Sequence, residues 1–132
     1  MSSGLKGLLY RRFIDAGQFS MQGFKACFQH EEAFRVEVFL AILLTPLAFY
    51  IGDSMQDLVL LFGSMFIVLI TELLNSAVEA VVDLVSLEKS ELAGRAKDQG
   101  SAAVLLSMIL FVLVWGVMSW GTVQGLFPGP NL

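Results

Sequence analysis

An apolar run from Leu58 to Ile70, with no proline and no glycine after Gly63, passes directly into Thr71-Glu72-Leu73-Leu74-Asn75-Ser76-Ala77-Val78-Glu79-Ala80-Val81-Val82-Asp83. One unbroken helix is expected, running from lipid into polar surroundings. At the helical repeat Glu72, Asn75, Ser76, Glu79 and Asp83 fall on a single face. A carboxylate at the centre of a membrane helix costs roughly 2.5–3.5 kcal/mol on insertion scales, so acids placed there carry a presumption of function. If the helix enters the bilayer near Asp57, Glu72 lies about 22 Å further along, inside a hydrocarbon layer of roughly 30 Å, and Glu79 about 33 Å along, at the far interface. One acid is then at lipid level and the other in water. Acids that merely hold helices together are the plainer alternative, but the coplanar Asn75 and Ser76 favour chemistry.

Of 132 residues 56% are hydrophobic and only 15% charged, and the mean hydropathy is +0.74, which excludes an ordinary soluble domain and leaves room for a few membrane spans. We expect one all-α membrane domain over residues 1–132. The net charge of −4 argues against a nucleic-acid partner. The single Cys27 has no intrachain disulfide partner and no metal-ligand spacing, and reads as a small packing residue. Lys6, Arg11, Arg12 and Asp15 interrupt any signal-peptide core, so no cleavable leader is expected.

From Leu5 to Gln29 the residues Leu5, Leu9, Phe13, Gly17, Met21, Phe24 and Phe28 recur at steps of three or four among charged and polar neighbours. This predicts an amphipathic surface helix over 5–29, with Gly17 marking where it could break. A soluble helix packed on a core is disfavoured by the lack of soluble chain. A first span is expected over 34–52, with Pro46 adding a bend, a second over 57–85 and a third over 98–121. Between the last two, Ser86 to Asp98 reads as a charged loop. Trp115 and Trp120 suit an aromatic belt, and the tail from Gly121 to Leu132 reads as loosely ordered. His30 reads as a surface residue.

All eight lysines and arginines precede the first span, stand at its entrance (Arg35) or lie between the second and third, whereas the connection between the first two carries only Asp53 and Asp57. By the positive-inside rule the N-terminus and the second connection are cytoplasmic and the C-terminus lies outside. That brings Glu31, Glu79, Lys97 and Asp98 to a similar height. Two carboxylates and a lysine at a membrane surface suit a magnesium nucleotide, since Mg²⁺ takes one or two carboxylates alongside phosphate oxygens. Glu72, one layer deeper, could then orient or deprotonate a lipid hydroxyl. No Walker A sequence and no soluble-kinase motif set is present. A proton-conducting or assembly subunit fits the same residues, because an acid at membrane depth can also relay protons.

The segment from Glu72 to Asp83, followed by Gly94-Arg-Ala-Lys-Asp-Gln-Gly-Ser-Ala-Ala-Val104, resembles the prokaryotic diacylglycerol kinase family of small three-span membrane enzymes. Glu31 with Ala33-Phe34-Arg35 and Glu37, and the first helix with Arg12, Ser20 and Gly23, also look like that family. The resemblance implies a homotrimer in the bacterial inner membrane that uses ATP and Mg²⁺ to convert diacylglycerol to phosphatidic acid. It implies that Glu72 is the general base with Asn75 beside it, and that Glu31 and Glu79 hold the metal. Arg12, Phe19, Glu31, Glu79, Glu88, Lys97 and Asp98 fall at positions that contact ATP. Arg12, Ser20, Ala33, Phe34, Arg35, Glu37, Glu72 and Ser101 fall where the lipid is held. Lys89-Ser90 stand where the family often has Tyr-His, Phe19 where tyrosine is common and Val36 where glutamine is frequent. A sibling branch phosphorylates undecaprenol and shares the acidic helix, but the Gly94 to Ala103 segment looks more like the diacylglycerol branch.

Overall fold

The computed structural model of the protein describes residues 2–85 and 90–126. The chain divides into two units, Met1–Glu32 and Ala33–Leu132. The first is helix α1, Ser2–His30. It passes through Gly17 without a break, because one glycine costs only about 1 kcal/mol relative to alanine inside a long helix. Tyr10, Phe13, Met21, Phe24 and Phe28 recur at helical spacing and are exposed, with Arg11, Asp15, Gln18, Gln22 and Lys25 between them. Cys27 is buried, as a small packing residue should be. The Glu31 N–H donates to the Cys27 carbonyl at 2.8 Å and closes the helix.

The second unit is built on three helices, α2 (Glu32–Ile51), α3 (Met55–Val85) and α4 (Glu91–Leu126). Each is long and apolar enough to cross a membrane. The all-α membrane architecture read from the sequence is therefore present. Helix α2 continues through Pro46, with the Thr45 hydroxyl donating to the Ala41 carbonyl at 2.8 Å. A three-residue turn joins α2 to α3. At Gly52 an added Cβ would meet the Ala48 carbonyl at 3.1 Å and the Leu58 side chain at 2.9 Å, so a side chain there would have to displace Leu58.

Ser54 starts α3. Its hydroxyl accepts from the Asp57 N–H at 3.2 Å while the Asp57 carboxylate accepts from the Ser54 N–H at 3.0 Å, a reciprocal cap that satisfies two otherwise orphaned donors. Ser90 caps α4 with a single bond, its hydroxyl accepting from the Ala93 N–H at 3.1 Å. That cap moves the start of the third span's helix to Glu91, so Glu91 to Asp98 is helical where a loop was expected; Ser86 to Lys89 lie outside the described residues. At its other end α4 continues to Leu126, past the expected loosening at Gly121, and 127–132 lie outside the described residues.

The closest backbone approach among the helices is that of α3 on α4. Ala48, Ile51, Leu61, Met65 and Trp115 form the buried cluster, beside the α2–α3 turn. Trp115 thus lies in the core, stacked obliquely on Phe111 with centroids 5.5 Å apart, and does not belong to an aromatic belt. Trp120, one turn further, is exposed and suits one. The burial of Trp115 leaves its indole N–H without a hydrogen-bond partner among the described residues.

Candidate functional site

The acidic face of α3 lies along α4, and three contacts set the register of the two helices. Thr71 meets Ser107 through their hydroxyls at 2.8 Å, Asn75 lies against Gly100, and Asp83 pairs with Lys97 at 2.6 Å. Numbers rise on one helix as they fall on the other, so the pair is antiparallel. The Thr71 and Ser107 hydroxyls also lie within reach of carbonyls in their own helices, at Val68 and Val104. With one proton each, one hydroxyl bonds across the seam while the other satisfies its own helix.

Between the first two contacts lies Glu72, only 6% exposed. One turn on, the Asn75 amide donates to Glu79 Oε1 at 3.1 Å, and Glu79 itself is half-buried. The carboxylate accepts only, so the Asn75 NH₂ must face it and the Asn75 carbonyl must face Gly100. The seam therefore holds one acid in a dry layer and a second, oriented by an amide, in a wetter one.

A cavity of about 250 Å³ opens beside the dry layer, between α2, α3 and α4. Leu40, Leu44, Val68, Met108 and Phe111 line it, with Glu37 as the ionisable side chain in its wall. Both Glu37 oxygens are buried with no hydrogen-bond partner among the described residues. A buried carboxylate with empty acceptor positions in an apolar wall can receive a hydroxyl.

The other expected site residues divide by unit. Arg12, Phe19 and Ser20 are exposed on α1, the Ser20 hydroxyl donating to the Ala16 carbonyl at 2.8 Å, and Glu31 is the half-buried link after that helix. In the second unit Phe34 is buried, Arg35 half-buried, and Ala33, Asp98 and Ser101 exposed. Lys97 is engaged by Asp83, a residue read only as part of the acidic face. Glu88 lies outside the described residues. Thr71, Ser107 and Gly100 were not singled out as site residues. With the segment read as a loop up to Asp98, the sequence carried no signal for Gly100, which becomes an interior glycine only because the helix begins at Glu91.

These features define a multi-pass α-helical membrane protein with an acid-lined seam between two of its spanning helices. The family model described as prokaryotic diacylglycerol kinase matches residues 18–119. A diacylglycerol kinase of Haemophilus influenzae is 48% identical over 103 residues, covering 78% of this chain and 87% of the relative. One from Escherichia coli K12 is 42% identical over 111 residues, covering 84% and 91%, and one from Pseudomonas aeruginosa 40% over 111, covering 84% and 90%. The chain belongs to the prokaryotic diacylglycerol kinase family. Its matched region includes every residue of the seam.

Proposed function

We propose that the protein transfers the γ-phosphoryl group of ATP to the free hydroxyl of diacylglycerol at the cytoplasmic face of the bacterial inner membrane, giving phosphatidic acid and ADP. The observation that carries the reading is the burial of Glu72 inside a spanning helix of a member of this family. A carboxylate in a water-poor layer can take the proton of a lipid alcohol without competition from bulk water. The lipid oxygen attacks the γ-phosphorus, the bond from that phosphorus to the β–γ bridging oxygen breaks, the proton passes to Glu72, and ADP leaves. Glu37 offers the hydroxyl region of the lipid an acceptor, and the adjoining cavity is apolar enough for an acyl chain.

Glu79 and Glu31 hold the nucleotide's metal in this reading. Mg²⁺ is held by one or two carboxylates plus phosphate oxygens, and the Glu79 carboxylate is a suitable hard donor. When bound, the ion neutralises charge on the transferring phosphoryl group. Lys97 and Asp98, at the start of the apolar part of α4, contact the nucleotide, with Arg12, Phe19 and Glu88. Arg12, Ser20, Ala33, Phe34, Arg35 and Ser101 hold the lipid with Glu37. The working assembly is a homotrimer, with the N-terminus cytoplasmic and the C-terminus outside.

Transfer of radiolabel from γ-labelled ATP to diacylglycerol in detergent or bilayers tests the reaction. Transfer to undecaprenol alone would replace the acceptor. Proton flux through liposomes lacking ATP and acceptor lipid, with no label transfer, would replace the class.

A further inference from the structure

Gly100 lies inside α4, where alanine is the better helix former. Its neighbour across the seam leaves no room for a side chain. A Cβ built on Gly100 would fall inside the contact radius of Asn75 Oδ1, and would stand 3.3 Å from Asn75 Cγ. The Asn75 carbonyl is otherwise buried without a hydrogen-bond partner among the described residues, and lies where the Gly100 α-hydrogen can meet it as a weak donor. With the carbonyl end seated there, the amide end reaches Glu79 Oε1. By contrast, Gly94 and Gly116 on the same helix have open space where a Cβ would go.

We propose that Gly100 is a positioning residue for the metal-holding carboxylate: its bare backbone seats the Asn75 carboxamide, which fixes the rotamer of Glu79. This rests on the reading of Glu79 as a ligand of the nucleotide's ion. The atom in conflict with an added Cβ is the end of a short side chain, so Gly100→Ala is met by rotation of the carboxamide with the helices in place. What is lost is the aim of Asn75 at Glu79, and with it the orientation of that carboxylate.

The test compares Gly100→Ala, Asn75→Ala, the double variant, Glu79→Ala and Gly116→Ala. Mn²⁺ binding in the presence of a non-hydrolysable ATP analogue is followed by electron paramagnetic resonance, beside the Mg²⁺ concentration giving half-maximal label transfer. For Gly100→Ala we expect about tenfold weaker Mn²⁺ binding, the same shift in Mg²⁺ half-saturation, a smaller change in turnover at saturating Mg²⁺, and an SDS unfolding midpoint near wild type. The double variant should match Asn75→Ala, since the conflict goes when the carboxamide does, and Gly116→Ala should match wild type. Unchanged Mn²⁺ binding in Gly100→Ala beside weakened binding in Glu79→Ala overturns this proposal alone. So does a Gly100→Ala protein that fails to fold while the double variant folds, for Gly100 would then serve helix packing. Unchanged Mn²⁺ binding in Glu79→Ala overturns the metal reading and this proposal with it.

Discussion

Glu72 and Glu79 lie two turns apart on α3 in different surroundings, one almost wholly buried and the other half-buried with an amide on one oxygen. The proposed reaction needs that difference, because a base for a lipid alcohol and a ligand for a hydrated ion work in different solvents. Glu72→Gln keeps the shape and removes the proton acceptor. Turnover should fall by at least about 100-fold, the lower end of what a general base contributes. Nucleotide-analogue affinity should stay within a factor of two, and wild-type turnover would remove Glu72 from the role. Glu37 gives a prediction with two signs. Its two oxygens, buried with no hydrogen-bond partner among the described residues, cost stability, so Glu37→Leu should raise resistance to SDS unfolding by about 1 kcal/mol. It should also raise the KM for diacylglycerol about tenfold, through loss of a hydrogen bond to the lipid hydroxyl. A stabilised variant with an unchanged KM would make Glu37 a structural acid only.

At the scale of the helices, the ends are fixed by two serines and the core by one tryptophan. Ser54→Ala and Ser90→Ala should each cost about 1 kcal/mol in SDS unfolding, the usual worth of an N-cap hydroxyl. Trp115→Ala should cost more, about 2–3 kcal/mol. Inside a bilayer the loss is mainly that of packing into a cavity, since lipid tails are as apolar as the protein core. An unfolding midpoint unmoved by Trp115→Ala would place that side chain in lipid. The sequence pattern made the helices and the acidic face legible, because apolar length and the 3.6-residue repeat are local properties. It read Glu91 to Asp98 as a loop because charge density there outweighed a single serine cap. It put Trp115 in a belt because composition shows that a tryptophan is near a span end but not which way it faces. Gly100 and the Thr71–Ser107 contact depend on the register of α3 against α4, which no window along one segment contains.

Across the whole molecule the distribution of charge sets the orientation, and orientation decides whether the site can meet ATP at all. The turn between α2 and α3 carries Asp53, and the first turn of α3 carries Asp57, without a basic residue, whereas Lys89, Arg95 and Lys97 flank the start of α4. Basic residues are retained on the cytoplasmic side. In the proposed orientation the wetter end of the seam, where Glu79, Asp83 and Lys97 gather, faces cytosolic nucleotide, and the buried cluster around Trp115 faces the other way. Cysteines introduced singly at Asp53 and Ser90, in a Cys27→Ala background, test this in intact cells. A membrane-impermeant maleimide should label Asp53→Cys directly and Ser90→Cys only after the membrane is opened. The reverse pattern would put Glu79 on the side without ATP, and the proposed reaction could not run in that orientation whatever the local geometry of its acids.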